Sequence, residues 1–175
     1  MPNTKRYVVT AITLGLIAAV SAGAIGLTNL LTNKKIEQNK ENQIDKGIAE
    51  IFGENSSRID GKTIKKEQYT NYVYYVQIKG ESNLQYAFRT EGSNTYGKVS
   101  LLVGFNSERQ FKGISVITNE QSYAQTLVNN YINPLKDAKD KESALNDVEC
   151  GATNGAKLIR KMVEDARKVI NKGIV

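Results

Sequence analysis

Hydrophobic positions change their spacing three times along the chain. Tyr7 to Leu31 reads YVVTAITLGLIAAVSAGAIGLTNLL and carries no charge. As a helix rising 1.5 Å per residue, this stretch reaches roughly 37 Å, enough to cross a hydrocarbon core of about 30 Å with some tilt. Lys5 and Arg6 precede it and Lys34 and Lys35 follow, so the flanking charges favour a cytoplasmic N-terminus (residues 1–6) by a narrow margin. A cleaved signal peptide is the alternative, because Ala22-Gly23-Ala24 offers an A-x-A site. The apolar run continues past that site through Ile25, Leu27, Leu30 and Leu31, which favours a retained anchor over 7–31. Gly15, Ala19 and Gly23 recur every four residues beside Ala18, Ala22 and Gly26. Such a stripe lets a second membrane helix approach closely; ordinary Ala and Gly content is the alternative, but a lone anchor would not require the stripe, so an integral-membrane partner is expected.

From Asn33 the chain turns polar, yet Ile36, Ile44, Ile48 and Ile51/Phe52 share one side of a helical wheel. A connecting helix over 32–53 follows, broken by Gly53-Glu54-Asn55-Ser56-Ser57. The period then drops to two. Residues 72, 74, 76 and 78 of Tyr72–Ile78 point one way and give a strand with one apolar face. Tyr86–Thr90 is a short partner, and Glu91–Asn94 reads as a loop. Lys98–Phe105 and Phe111–Thr118 flank the polar Asn106–Gln110 as a hairpin. Helical spacing returns with Tyr123, Leu127 and Tyr131, ended by Pro134, and a charged loop spans Lys136–Glu142. Leu158, Ile159, Met162, Val163, Ala166, Val169 and Ile170 then stripe a final helix. The sum is an α+β fold: an antiparallel sheet packed by helices over 54–175, preceded by one N-terminal transmembrane helix.

Composition narrows the chemistry. The 175 residues include no His, no Trp and one Cys. That excludes imidazole-based triads and metal sites, an internal disulfide, and a self-contained iron–sulfur cluster. The net charge of +6 invites a nucleic-acid reading. The basic residues are scattered among acidic ones, as in Lys139-Asp140-Lys141-Glu142. This describes a solvated surface better than a phosphate-tracking stripe, and no nucleic-acid partner is expected. A basic balance fits a domain tethered beside anionic lipid equally well.

Between the charged loop and the last helix stands Asp147-Val148-Glu149-Cys150-Gly151-Ala152-Thr153-Asn154-Gly155-Ala156. Gly151 and Ala152 remove bulk near the backbone. Thr153 sits where a helix begins, near unpaired N–H groups and the positive end of the helix dipole, a place that favours phosphate. The plainer alternative makes Thr153 or Asn154 an N-cap and Gly151 part of a turn.

The Gly151-Ala152-Thr153 core, with Asp147 before it and an amphipathic helix after it, resembles the FMN-binding domain of the RnfG family, a component of the Rnf electron transport complex. NqrC, the equivalent component of the sodium-pumping NADH:quinone oxidoreductase, shares that domain. The Asn29–Thr32 stretch and the Tyr96-Gly97 turn before a hairpin add to the resemblance. In this family a flavin transferase joins FMN through its phosphate to the Thr of a Ser/Thr-Gly-Ala-Thr-x-Ser/Thr motif. The resemblance therefore implies an FMN phosphoester on Thr153, with Cys150, Gly151, Ala152 and Asn154 around it. Cys150 stands where the family has Ser or Thr, and Gly155 and Ala156 replace hydroxyl residues. Cys150 is otherwise a small packing residue. A flavin-contacting Glu-Thr-Pro-Gly-like segment of the family corresponds here to Asn119–Tyr123. Glu120, Ser122 and Tyr123 become candidate flavin contacts, the start of a helix being the alternative.

With no acid–base or nucleophilic constellation in the sequence, a cofactor would carry the chemistry. The resemblance implies a single-pass protein of the cell membrane with its flavin domain on the extracytoplasmic face. It would relay electrons within an Rnf-like, ion-translocating assembly of integral-membrane redox subunits. The alternatives are a free-standing cell-surface carrier with non-covalent FMN, and a non-redox membrane-tethered domain.

Overall fold

The computed structural model describes residues 3–65 and 67–173. Positions 1 and 2 of the expected cytoplasmic segment and positions 174 and 175 of the domain lie outside the described residues, as do the side chains of Leu30 and Leu31 in the expected span. The chain forms two compact units, Met1–Glu41 and Asn42–Val175.

Helix α1, Asn3–Phe52, starts in the first unit and ends in the second. Its segment Arg6–Asn29 is long and apolar enough to cross a membrane. The apolar side chains there, Val9, Leu14, Leu16 and Val20 among them, are exposed. Thr10, Thr13 and Thr28 donate their hydroxyls to the carbonyls of Arg6, Val9 and Ala24, so these polar atoms are satisfied within the helix itself. The anchor and the connecting helix are one uninterrupted element, because Asn33–Glu41 is polar but holds no Gly or Pro to break it.

The second unit is built on a five-stranded antiparallel meander, in the order β1-β2-β3-β4-β5. Its strands are β1 Ser56–Thr63, β2 Thr70–Ile78, β3 Gln85–Asn94, β4 Gly97–Phe105 and β5 Phe111–Asn119. The hairpin of β4 and β5 falls where the alternation puts it. Strand β1 has no such alternation: its one large apolar side chain, Ile59, is exposed, and backbone pairing from Ser56↔Ile78 to Thr63↔Tyr72 holds it in place. The expected loop Glu91–Asn94 is instead the end of β3, paired from Glu91↔Ser100 to Asn94↔Gly97. Backbone ladders do not require apolar side chains, so this extension leaves little trace in the pattern.

Both faces of the sheet are covered. On one, Tyr74, Val76, Ala87 and Leu102 pack against Ile44, Ile48 and Phe52 of α1. On the other, Val73, Phe88, Leu101, Val103 and Phe105 meet the last helix. The single apolar face expected of Tyr72–Ile78 is thus one of two, since Val73 and Tyr75 pack on the opposite side. Gly47 lies against Leu102 and Ser115, while Ile51 and Phe52 lie against Gly104. Residues 42–52 therefore run alongside β4 in its own direction, entering at the Gly97 end.

After β5 comes one helical run: α2 Ala124–Leu127, a π-turn Val128–Ile132, and α3 Asn133–Asp137. Pro134 does not end it. The wider π-turn just before Pro134 accommodates a residue that cannot donate to the preceding turn, and the run stops at Ala138, which is extended. The expected charged loop is partly helical as well. Asp140 caps α4, Lys141–Asn146, by accepting the Ser143 N–H at 3.1 Å. Tyr131 is buried and donates its hydroxyl to the Leu145 carbonyl at 2.7 Å. Burial pushes this phenol far above its ordinary pKa, so it stays a donor.

Helix α5, Thr153–Asn171, buries its apolar stripe on the sheet. Each large side chain of that stripe contributes about 1.5–3 kcal/mol. The same helix buries a carboxylate, Asp165. It accepts N–H groups from Gln68, Tyr69 and Thr70 at 3.2, 3.0 and 2.9 Å and the Thr70 hydroxyl at 2.7 Å. This side chain ties α5 to the start of β2.

Candidate functional site

The segment entering α5 is shaped by small residues. Asn130 donates to the Cys150 carbonyl at 3.0 Å, Gly151 turns the chain at φ 79°, and Ala152 stands at the N-cap position. Alanine has no side-chain acceptor, so the first amides of α5 receive no side-chain cap. Gly155 and Ala156 both donate backward to the Ala152 carbonyl, at 2.9 and 3.1 Å. Thr153 is therefore the first helical residue and not a cap, and neither is Asn154; Gly151 does form the turn. Thr153 is half-buried, and its hydroxyl has no hydrogen-bond partner among the described residues.

Two other segments face this entry. The β3–β4 turn brings Asn94, Tyr96 and Gly97, and the stretch after β5 brings Gln121 and Tyr123. Backbone bonds from Glu120 to Lys98 (2.8 Å) and from Ser122 to Tyr96 (2.7 Å) hold them together. Gln121 is buried and donates its amide to the Gly97 carbonyl at 2.6 Å and to Asn94 Oδ1 at 3.0 Å. Asn94 in turn donates to the Asn154 carbonyl at 3.2 Å. Three segments distant in sequence are thus locked around one opening.

That opening is a cavity of about 160 Å³. Gly151, Ala152, Thr153, Asn154 and Gly155 form one wall, with Tyr96, Gln121, Tyr123 and Leu127 opposite. The rings of Tyr96 and Tyr123 lie 5.9 Å apart, tilted by 56°, and both are exposed. Of the residues expected from sequence, Thr153, Gly151, Ala152, Asn154 and Tyr123 line the cavity. Cys150, Glu120 and Ser122 do not line it. Ser122 turns its hydroxyl to the Tyr96 carbonyl at 3.1 Å, and Cys150 is engaged through its carbonyl.

The lining residues that sequence reasoning passes over are Tyr96, Gln121, Leu127 and Gly155. Tyr96 has a signal, the Tyr-Gly turn; Gln121 lies within the Asn119–Tyr123 segment, but nothing singles it out there, because a buried amide looks like any surface glutamine. Gly155 has a steric cause. A Cβ there would stand 2.8 Å from Leu127 Cδ2 and 3.4 Å from Gln121 Oε1. Gly155→Ser would gain helix propensity but overpack this contact, for a net loss of about 1 kcal/mol. Chemical denaturation of the variant checks that figure.

Chemically, the cavity offers a hydroxyl, unpaired helix-start amides and an aromatic rim. The first turn of α5 holds no acidic residue, so the positive end of this 19-residue helix favours an anion at the opening. An anion bearing a planar group suits these three features together.

Residues 2–51 match the family model described as the RnfG N-terminal region. This match covers the first residues of the chain and nearly all of α1, and it ends before the cavity-lining segments. No curated protein matches the chain.

Proposed function

We propose, from the RnfG N-terminal region that this chain carries over residues 2–51, that it is a membrane-anchored FMN-bearing protein relaying electrons in an Rnf-like, ion-translocating assembly. The NqrC component of the sodium-pumping NADH:quinone oxidoreductase is related, and the match does not separate the two. The apolar helix and the family match fit a membrane-anchored Rnf component. The cofactor, its linkage and the relay are our reading. The observation that carries it is half-buried Thr153, whose hydroxyl has no partner among the described residues, at the dipolar start of α5.

The residues present suit the group. Thr153 would bear the phosphate, and the uncapped amides of the α5 start would offset its charge. Gly151 and Ala152 leave the backbone approachable, and Gln121 fixes the opposite wall. A cavity of about 160 Å³ is too small to enclose a whole flavin mononucleotide, so the ring would be left to the exposed rim of Tyr96 and Tyr123. Bound FMN supplies one- and two-electron transfer. The chain's own tasks are to hold the group, orient it and keep it from diffusing away. The anchor confines the domain to the bilayer beside integral-membrane redox subunits, with the flavin on the extracytoplasmic face.

Expression with and without a flavin transferase tests the reading. Intact mass should rise by one FMN phosphoester only with the transferase, and the denatured band should fluoresce. Gly155 and Ala156, which replace the family's hydroxyl residues, favour one second reading, a non-covalent FMN carrier. Its mark is flavin released on denaturation. A colourless protein at polypeptide mass in its own membranes would rule out both readings.

A further inference from the structure

The β4–β5 turn lies at the opposite end of β4 from the Thr153 cavity and forms one wall of a second, larger and open cleft of about 670 Å³. Arg109 and Lys112 line it from the hairpin, Lys139 from the α3–α4 linker, Lys141 from the start of α4, and Arg167 from α5. Its two acidic residues are already engaged. Asp140 caps α4 through Ser143, and Glu142 pairs with Arg167. Two of the cations are engaged too: Lys141 donates to the Leu135 and Lys136 carbonyls at the end of α3, and Lys112 donates to Gln85 Oε1 while lying over the Phe52 ring. Arg109 and Lys139 are exposed and have no partner among the described residues.

The lining thus carries a surplus of three positive charges. Residues 42–175 hold 19 Lys and Arg against 16 Asp and Glu. The cleft's surplus is therefore as large as that of the entire unit, and the remaining charges balance.

Arg109 is also the only non-glycine residue with positive φ among the described residues, at 65°. Asn106 sets this turn, accepting the Glu108 and Gln110 N–H groups on Oδ1 at 3.0 and 2.8 Å. A left-handed position in a tight turn is best filled by Gly or Asn. An arginine there trades backbone comfort for an exposed guanidinium at the lip of the cleft.

We propose that this cleft docks an acidic, Asp/Glu-bearing segment of a partner protein. The cations are spread over three walls of a concavity, which matches a chain of carboxylates better than a single small anion. A flat lipid surface would fail to reach the inner cations. Complementary charge at such a surface governs association and partner choice. Docking here requires no flavin at Thr153.

The test uses the full chain in detergent micelles and a fluorescein-labelled Asp/Glu decapeptide, with binding followed by anisotropy. Wild type should bind with an affinity that falls as salt rises. Arg109→Glu with Lys139→Glu should weaken binding by about tenfold or more, whereas Lys79→Glu with Lys161→Glu, exposed cations outside the cleft, should not. Arg109→Gly should weaken binding about threefold while raising the thermal midpoint, which shows that the loss is not unfolding. Unchanged binding in the Arg109/Lys139 variant, or an equal loss in the Lys79/Lys161 variant, overturns the proposal. So does a chain that ignores the peptide yet binds phosphatidylglycerol vesicles through Arg109.

Discussion

Thr153→Ala should leave the chain at its bare polypeptide mass, with no fluorescent band in a denaturing gel, even when a flavin transferase is co-expressed. A phosphoester needs one hydroxyl, and Thr153 supplies the hydroxyl of the cavity wall at the start of α5. The substitution is cheap for the fold. The side chain is half-buried, its hydroxyl has no partner to orphan, and alanine suits a helical position, so stability should change by no more than about 0.5 kcal/mol. A missing flavin therefore cannot be put down to unfolding, and a matched denaturation curve checks this. Thr153→Ser keeps the hydroxyl and should keep the cofactor. Ser122→Ala should keep it as well, because that hydroxyl faces the Tyr96 carbonyl. Flavin retained on Thr153→Ala would place the linkage elsewhere.

Asp165→Ala should cost about 3 kcal/mol or more, as much as truncating a large core side chain. Its carboxylate is 6% exposed and accepts four hydrogen bonds from Gln68, Tyr69 and Thr70. Deletion leaves buried donors unmatched and frees α5 from β2. Burial alone pushes this carboxyl's pKa upward, but the Thr70 hydroxyl and the three backbone N–H groups outweigh it and leave the pKa below the ordinary value. Folding thus favours the ionised form. The stabilisation is fully present above the unfolded-state pKa of about 4 and is lost as pH falls through the lower folded-state value. Urea midpoints at about pH 7 and about pH 3 should draw together in Asp165→Asn relative to wild type. An unchanged acid limb would mean that other carboxylates dominate it.

How much of this was legible depends on what each element offers the sequence. The apolar run of α1, the β4–β5 hairpin and the α5 stripe announce themselves because one physical demand, burial in lipid or core, concentrates apolar side chains there. β1 and the end of β3 meet a different demand, backbone pairing, which Ser56, Asp60 and Glu91 satisfy as well as any residue. Pro134 misleads because a π-turn precedes it and carries the helical run past it. At the site, the small residues Gly151 and Ala152 before a helix start at Thr153 are readable from the sequence, but their binding role, like those of Asn154 and Tyr123, comes from the resemblance. Gln121 is not, since only its bonds to Gly97 and Asn94 make it part of the wall. Asp165 looks like one more surface charge on an amphipathic helix until its four donors are seen.

The two coverings of the sheet differ in when they are made. Residues 42–52 precede every strand, so one side can be shielded as the hairpins emerge during synthesis. The other side, with Val73, Phe88 and Leu101, stays partly uncovered until α5 is made, because α5 follows every strand. A nascent or C-terminally shortened chain would therefore present sticky strands and an unfinished pocket at once, and would fall to chaperones or proteases. Any enzyme that recognises the closed opening around Thr153 meets only chains in which α5 has been made and folded.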